Sequence, residues 1–474
     1  MIEFDNATPD NGSREHRVTT PFLTRRSFGY YAFAGVSYLS AGRVFARNDG
    51  TTQIPRKDQK GSPDSTMALL REGYQFIPNR CKSLKSEVFQ AKILSKEVMC
   101  LSGHNAAKLF YNNDLFERKN AAPERLQKSL TGKGGVQSLD DAAHRNRKAM
   151  FLSLMSPGKL GKFVKILNDE QNKAGLLWAE EKKVTLFDEA QEIYFRAACT
   201  WAGVPLKDSE ARERSKDMGK MVDGLGSLGY RNYRGRFARK RSEAWMVDII
   251  NQARGSKMTA PKGTALHTMA WHKDQDGQLL NTDTVAVELL NIVRPIAAIA
   301  TYISFMALAL HRYPQYGKSL RGASDGDYQA FVQEVRRFYP FTPFVLAKVR
   351  KDFTWRGYGF PKGRTVMLSA YGVDHDPKLW HKPEQFNPSR FKSWGGDRFD
   401  FIPHGGGDYL KGHRCAGEQL TIQAMKATLR FLVDGISYDV PSQDLSFSLS
   451  RIPALPKSGF VMANVKLRKS GANS

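Results

Sequence analysis

The chain has 474 residues, 41% of them hydrophobic, which is enough for two domains or one large α-rich domain. Its formal net charge is +25, and the basic residues are spread through every segment without zinc-finger spacing or an RNP-type aromatic strand. Such a charge favours anionic partners, namely acids, nucleic acid or a membrane surface, and of these nucleic acid is not expected. The four cysteines form neither a CxxC pair nor a disulfide framework.

Residues 1–60 differ from the rest of the chain. They contain Thr24-Arg-Arg-Ser-Phe28 and then a mildly apolar run to about Leu39 that is too short to span a bilayer. This pattern is similar to a twin-arginine export signal. The alternative is a disordered leader, which we favour, and we accordingly expect a cytoplasmic protein.

Residues 61–474 are predicted to form a single, mostly helical domain with a small β-rich region. Alternating apolar residues predict a hairpin over 86–94 and 97–101, and further strands over 341–349 and 353–365. Apolar residues at helical spacing predict helices over 104–111, 141–154, 159–182, 186–202, 208–225, 234–254, 282–311 and 418–432.

The predicted helix over 282–311 carries an unusual pair, Arg294-Pro295, in front of a fully apolar second half. Pro295 removes a backbone donor and is expected to open or kink the helix there. An arginine in such a helix requires an anion. One interpretation is an internal ion pair with Glu288 or a distant acid, and the other is a bound carboxylate ligand.

A glycine-rich loop, Phe401-Ile-Pro-His-Gly-Gly-Gly-Asp-Tyr-Leu-Lys-Gly-His-Arg-Cys415-Ala-Gly417, precedes the last predicted helix. A cysteine just before a helix start favours the thiolate form, which is a ligand for haem iron. The alternatives are a buried free cysteine or a phosphate loop, and no Gly-Lys-Ser/Thr sequence follows to support the latter.

Four features occur in order: the long helix, Glu334-x-x-Arg337, Pro383-Glu-x-Phe-x-Pro-x-Arg390-Phe391 and the Cys415 loop. This set resembles the cytochromes P450. The resemblance implies a mainly α P450 fold, haem b as cofactor and Cys415 as iron ligand. It also implies that Glu334, Arg337 and Arg390 form a buried charge network that braces the cysteine loop.

Two departures resemble one branch of that family, the fatty-acid peroxygenases. Lys411 and Asp408 stand where ordinary P450 monooxygenases have a glycine and a phenylalanine, and Arg294-Pro295 replaces their acid–alcohol pair. The likeness covers nearly all of the folded chain. It implies oxidation of long-chain fatty acids by hydrogen peroxide, without a reductase or a membrane span.

The same resemblance assigns site residues. Arg294 would hold the fatty-acid carboxylate beside Pro295, and that carboxylate would act as general acid–base. Gln137 stands where a histidine is associated with decarboxylation to alkenes, so hydroxy acids are the expected main products. The other implied positions are the pocket residues Thr131, Val222, Phe341 and Thr342 and the haem-propionate contacts His144, Lys148 and His413.

Each of these assignments has a simpler alternative. Core packing is the alternative explanation for the pocket residues, Val222 above all, and a solvated surface pair is the alternative for His144 with Lys148. For the protein as a whole, the alternatives are a reductase-driven P450 monooxygenase, against which Arg294-Pro295 argues, and a non-catalytic haem carrier or sensor. A sensor would need no carboxylate anchor.

Overall fold

The computed structural model describes residues 64–468. The predicted leader over residues 1–60, with its boundary to the folded domain, lies outside the described residues.

The described chain is mainly helical, and most of its helices pack into one core. The helices are α1 (Thr66–Glu72), α2 (Phe76–Leu84), α3 (His104–Phe110), α4 (Glu124–Leu126), α5 (Asp141–Leu152), α6 (Pro157–Glu180), α7 (Leu186–Ala202), α8 (Asp208–Asp223), α9 (Tyr230–Arg254), α10 (Ala265–Ala270), α11 (Thr282–Ala298), α12 (Ala300–Arg312), α13 (Pro314–Leu320), α14 (Asp325–Phe338), α15 (Ala370–Asp374) and α16 (Glu418–Arg430).

Ten short strands form the β-rich part. They are β1 (Val88–Ile93), β2 (Lys96–Leu101), β3 (Phe116–Glu117), β4 (Lys183–Thr185), β5 (Val345–Val349), β6 (Phe353–Trp355), β7 (Tyr358–Phe360), β8 (Thr365–Leu368), β9 (Ile436–Asp439) and β10 (Val461–Leu467). The larger sheet has the order β1-β2-β8-β5-β3, in which only β2 and β8 run parallel. A three-stranded sheet, β4-β10-β9, and a β6-β7 hairpin complete the set.

Helices α11 and α12 run through the core. The Asn281 side chain caps α11 by accepting a hydrogen bond from the Thr284 N–H. From Val285 to Leu310 every residue is buried except Pro295 and Ala298, which are partly buried. The stretch Thr282–Arg312 is long and apolar enough to cross a membrane, but 89% of its most apolar window is buried inside the protein. It is therefore a core helix, as the apolar second half predicts.

The break in this helix lies elsewhere than predicted. Pro295 is accommodated inside α11, and the interruption is the single residue Ile299. The Ile299 N–H bonds to the carbonyl of Ile296, three residues back, in a tighter turn. The prediction of an opening at Pro295 is therefore wrong in position, because the helix absorbs the missing donor and adjusts one turn later.

The remaining element predictions are confirmed in type and mostly in extent. The 86–101 hairpin is β1 and β2, and α7 has the predicted bounds. Two predictions need correction. Residues 341–344 are irregular and only Val345–Val349 forms strand, because Pro343 cannot donate to a ladder. The predicted strand over 353–365 is the β6-β7 hairpin, followed by the Pro361 to Arg364 turn into β8.

Candidate active site

The cysteine loop is held in shape by its glycines and by backbone hydrogen bonds. Gly405 and Gly407 have φ values of +85° and +79°, which favour glycine. A side chain at Gly406 would place its Cβ 2.8 Å from the Tyr111 ring. The Cys415 N–H donates to the His404 carbonyl at 2.9 Å, closing the loop directly before α16. Gly405 to Gly407 thus serve the loop's own packing.

Cys415 combines two properties that rarely occur together. Its side chain is exposed, whereas Cys100 and Cys199 are buried. Yet surrounding protein desolvates the Cys415 thiol and raises its pKa, although the Gly417 N–H donates to it and Lys148 also favours the thiolate. The thiol is therefore accessible to a ligand although protein groups surround it. This excludes the simple interpretation of a closely packed structural cysteine.

A cluster of charged side chains connects the cysteine loop to helix α14. Glu418, the first residue of α16, accepts from Arg336 of α14 at 2.5 Å and from Arg414 at 2.6 Å. Arg336 also bonds to the ring of His404 at 2.9 Å. Burial raises the pKa of Glu418, but Arg336 and Arg414 overcome it and lower the value to about 2. The cysteine loop is thus joined to α14 by a charged carboxylate.

The predicted charge network of Glu334, Arg337 and Arg390 is present. Arg337 binds both carboxylate oxygens of Glu334 at 2.8 Å, and both side chains are fully buried. Arg390 reaches Glu334 at 3.1 Å. Arg337 also donates to the Asp374 carbonyl, while the Asp374 carboxylate accepts from the Ile402 N–H. The network therefore reaches the start of the cysteine loop through Asp374.

His144, Lys148 and His413 lie together at the cysteine loop. Lys148 donates to the carbonyls of Gly412 and Arg414, and the rings of His144 and His413 lie 4.0 Å apart. Burial lowers the pKa of Lys148 to about 8 and that of His144 to about 3. Because His144 and Lys148 are both buried, the interpretation as a solvated surface pair is wrong.

Arg294 is buried without a carboxylate partner. Its side chain is 7% exposed, and its Nε has no hydrogen-bond partner. Within residues 64–468, no carboxylate lies within ion-pair distance of its guanidinium. Burial, with a smaller contribution from Arg239, lowers the pKa of Arg294 to about 9, while Cys415 acts in the opposite direction. A buried cation with a free donor is a ready site for an anion.

The internal ion pair expected as the alternative for Arg294 is formed by a different arginine. Glu288 accepts from Arg147 of α5 at 2.7 Å, and also from the Val136 N–H and the Asn291 amide. With three donors on its carboxylate, Glu288 is satisfied without Arg294. The ion-pair interpretation of Arg294 is therefore wrong.

Asn291 of α11 connects Gln137 and Thr131 to the helix that carries Arg294. The Asn291 amide donates to the Thr131 carbonyl at 3.0 Å and lies 3.4 Å from the Gln137 side-chain oxygen. Asn291 precedes Arg294 by three residues, so both lie on one face of α11. The structure thus brings Gln137, Thr131 and the Arg294 face together.

The other three predicted pocket residues lie on other segments of the chain. Phe341 stacks on Tyr302 of α12 with ring centroids 4.4 Å apart, and Thr342 donates to the Pro403 carbonyl of the cysteine loop at 3.0 Å. Val222 is partly buried near the end of α8. Their role as pocket walls remains a prediction.

The residues present fit a haem group. The accessible yet enclosed Cys415 supplies a single sulfur ligand, and the buried cation Lys148 and the rings of His144 and His413 lie beside its loop. Such a donor set, one sulfur ligand with a buried lysine and two histidine rings near it, suits an iron porphyrin with acidic side arms.

Comparisons with known proteins agree with this geometry. The family model described as "Cytochrome P450" matches residues 328–461. A variant of cytochrome P450SP alpha (CYP152B1) has a TM-score of 0.84 and 43% identity, covering 86% of this chain and 100% of its own. Cytochrome P450EX alpha (CYP152N1) with myristic acid has a TM-score of 0.83 and 41% identity, covering 86% and 98%.

More distant relatives are found as well. A cytochrome P450 OleT variant in complex with arachidonic acid has a TM-score of 0.84 and 35% identity, covering 87% of this chain and 99% of its own. Among curated proteins, protopanaxadiol 6-hydroxylase of Panax ginseng is 22% identical over 80% of this chain and 83% of its own.

The fold, the thiolate loop and these relatives define a haem-thiolate enzyme, and the chain belongs to the cytochrome P450 family. Within that family it is a member of the fatty-acid peroxygenase group, CYP152.

Sequence reasoning missed two supports of the site. Asn291 joins Gln137 and Thr131 to the Arg294 helix, and Arg336 with Glu418 holds the cysteine loop to α14. A signal existed for each. Asn291 is a polar residue in an apolar helix one turn before Arg294, and Glu418 opens a helix directly after the cysteine.

Proposed function

We propose that this protein, loaded with haem b, uses hydrogen peroxide to oxidise long-chain fatty acids, mainly to α- and β-hydroxy acids. The observation that carries the proposal is Arg294: a buried guanidinium with an unpartnered Nε and no protein carboxylate within ion-pair distance in the described part of the chain. The fatty-acid complexes of P450EX alpha and OleT support the substrate class.

The overall reactions balance without an electron donor. Hydroxylation converts R–H and hydrogen peroxide into R–OH and water, with peroxide as the two-electron oxidant. Decarboxylation converts the acid and hydrogen peroxide into a terminal alkene, carbon dioxide and two waters. Because peroxide supplies both oxidising equivalents, no reductase is required.

Cys415 is the residue that would ligate the haem iron, and Lys148, His144 and His413 would contact the haem propionates. A bound haem with a cysteine thiolate ligand would provide the chemistry that cleaves the peroxide O–O bond. Burial raises the pKa of the Cys415 thiol, while the Gly417 N–H and Lys148 act in the opposite direction and favour the thiolate that such a ligand requires. The buried Glu418, Arg336 and Arg414 cluster holds the loop in place.

Arg294 binds the fatty-acid carboxylate and fixes its orientation. In a site shielded from water, this charge-assisted pair is strong and determines which carbons come within reach, those next to the carboxylate. The only nearby acid on α11, Glu288, already accepts from Arg147, Val136 and Asn291. The substrate carboxylate oxygen therefore holds the proton that peroxide cleavage requires.

Gln137 governs the ratio of products in this proposal. Its side-chain oxygen lies 3.4 Å from the Asn291 amide nitrogen, so it is oriented by the helix that carries Arg294. An amide does not donate a proton as an imidazolium does, so hydroxylation is favoured over decarboxylation. Thr131, Phe341, Thr342 and Val222 complete the proposed pocket. Thr131 stands where the peroxygenases resembled here usually have a phenylalanine, so it leaves more room for the substrate.

The test compares a free fatty acid with its methyl ester in the haem-loaded protein, with hydrogen peroxide and no reductase. We expect hydroxy acids from the free acid and little product from the ester, which cannot pair with Arg294 or hold the proton. Arg294→Ala should abolish turnover while haem stays bound. Equal turnover of acid and ester, or activity only with an electron-transfer system, would contradict the proposal.

We also propose a cytoplasmic location, on the expectation that residues 1–60 are not an export signal. Fractionation of cells that produce the full chain tests this, and recovery outside the cytoplasm would support the twin-arginine alternative.

A further inference from the structure

Helix α9 carries an unusual outward face. Tyr230, Tyr233 and Phe237 are 75%, 56% and 62% exposed, and the only other exposed Phe, Tyr or Trp among residues 64–468 is Trp271. Their spacing of three and four residues puts them on one side of the helix. Exposed aromatic rings clustered on one helix face have a cost in water and mark an interaction surface.

The same face is basic and free of internal partners. Arg234 lies over the Tyr230 ring at 5.5 Å, and Arg236 over the Tyr233 ring at 5.6 Å. Arg234, Arg236 and Lys240 have no carboxylate within ion-pair distance in the described part of the chain. We call these six residues the aromatic–basic face: Tyr230, Tyr233, Arg234, Arg236, Phe237 and Lys240.

The other cations of α9 have partners within the protein, and Arg254 donates to the carbonyls of Ala270 and Leu280. Arg231 pairs with Asp223 at 3.0 Å, Arg239 with Glu243 at 2.6 Å, and Arg241 with Asp217 at 2.8 Å. The contrast shows that unpaired charge is concentrated with the aromatic rings and is not general along the helix. An ordinary solvated helix face would not collect exposed rings and unpaired cations together.

A cleft of about 630 Å³ runs beside this face. Tyr233, Arg236, Phe237 and Lys240 line it, and its inner wall includes Arg239. Arg239 is 1% exposed, and one of its guanidinium nitrogens has no hydrogen-bond partner. Glu243, which pairs with Arg239, and Asp283 also line the cleft. The cleft thus adjoins the rings and cations at the surface and reaches a buried cation with one unpartnered nitrogen.

We propose that the aromatic–basic face of α9 docks on an anionic lipid surface. Tyr and Phe rings at a helix surface enter the headgroup region of a bilayer, while neighbouring Arg and Lys bind anionic headgroups. Leu228, 41% exposed just before α9, extends the apolar edge. Its three cations, Arg234, Arg236 and Lys240, have no carboxylate within ion-pair distance in the described part of the chain, so the charge of the face complements such a surface.

Docking of this kind is peripheral and separate from a membrane span. It also does not depend on the proposed reaction, because binding is measured without peroxide or turnover. Nucleic acid and a second copy of this chain are the competing occupants. Neither accounts for the cleft that leads inward from the face to Arg239.

The experiment is flotation of the haem-loaded full chain with vesicles of phosphatidylcholine alone or mixed equally with phosphatidylglycerol. We expect binding to the mixed vesicles, little to the neutral ones, and loss at high salt, which screens the cations. Phe237→Ser should weaken binding by roughly tenfold, and Arg234→Gln by roughly fivefold.

Two exposed apolar residues elsewhere provide matched controls. Leu177→Ser on α6 and Trp271→Ser remove side chains that are 66% and 44% exposed and lie outside the face, so binding should be unchanged. All these positions are exposed, and circular dichroism verifies that each variant is folded.

Four results would overturn the proposal. They are equal binding to both vesicle types, equal weakening by the controls, no vesicle binding together with binding to duplex DNA, and a concentration-dependent dimer in sedimentation that Phe237→Ser abolishes. The last two would assign the face to nucleic acid or to a second copy.

Discussion

Replacing Arg294 by methionine tests whether its charge serves a ligand or the fold. Burial lowers the Arg294 pKa from its ordinary value to about 9. At about 1.4 kcal/mol for each pKa unit, keeping this guanidinium charged and buried costs about 5 kcal/mol as an upper bound. Because no protein carboxylate within residues 64–468 offsets that cost, Arg294→Met leaves no acid unpaired. The fatty-acid-free holoprotein should be as stable as the parent or more so.

The same substitution should weaken fatty-acid binding severely. Loss of a buried, charge-assisted carboxylate pair costs about 3–4 kcal/mol, roughly 10²- to 10³-fold in the dissociation constant. Unfolding by denaturant gives the stability, and titration of the haem absorption band with fatty acid gives the affinity.

Arg147→Met is the matched control, because Arg147 is an equally buried arginine that does have a protein carboxylate, Glu288 at 2.7 Å. Its removal leaves an acid buried and should lower the free energy of unfolding by about 3 kcal/mol. The reasoning would be refuted if Arg294→Met destabilised the protein as much as Arg147→Met, or if its fatty-acid affinity were unchanged.

Three further predictions concern the cysteine loop and the ratio of products. Cys415→Ser should remove the ferrous–CO absorption band characteristic of a thiolate ligand; an unchanged spectrum would exclude Cys415 as the iron ligand. Gln137→His should raise the alkene share of products measured by gas chromatography, and an unaltered ratio would mean that Gln137 does not govern the branch. Because the Glu418 pKa falls from 4.5 to about 2 on folding, its carboxylate stabilises the fold above pH 4.5. About 3 kcal/mol of that stability should be lost between pH 4.5 and 2. In Glu418→Gln the free energy of unfolding should depend less on pH over this range. The same pH dependence in variant and parent would contradict this role of Glu418.

Much of the fold is predictable because its helices carry strong apolar periodicity. Helix α7, over Leu186–Ala202, has the predicted bounds because its buried residues recur at helical spacing and Gly203 ends it in a left-handed conformation. The start of α9 was predicted four residues late, at Arg234 and not at Tyr230. Its first turn exposes Tyr230 and Tyr233, so no apolar stripe marks it. Both of these rings belong to the aromatic–basic face.

The site residues that belong to sequence motifs could be predicted. Cys415, Glu334, Arg337 and Arg390 stand in a sequence order that indicates their contacts. Which acid satisfies which arginine could not be predicted.

Glu288 pairs with Arg147 and not with Arg294 because of the way α5 packs against α11. That packing is a tertiary contact, which the local sequence does not reveal. The break at Ile299 instead of Pro295 likewise depends on how the buried helix adjusts within its core.

The most direct test of the central claim is the origin of the oxygen atom in the product. Haem-loaded protein is given a long-chain fatty acid and oxygen-18-labelled hydrogen peroxide in air, without reductase, and the hydroxy acid is analysed by mass spectrometry. Peroxygenase chemistry predicts the label in the new hydroxyl group. Unlabelled hydroxy acid, or product formed only when an electron-transfer system is supplied, would contradict the account and identify a monooxygenase.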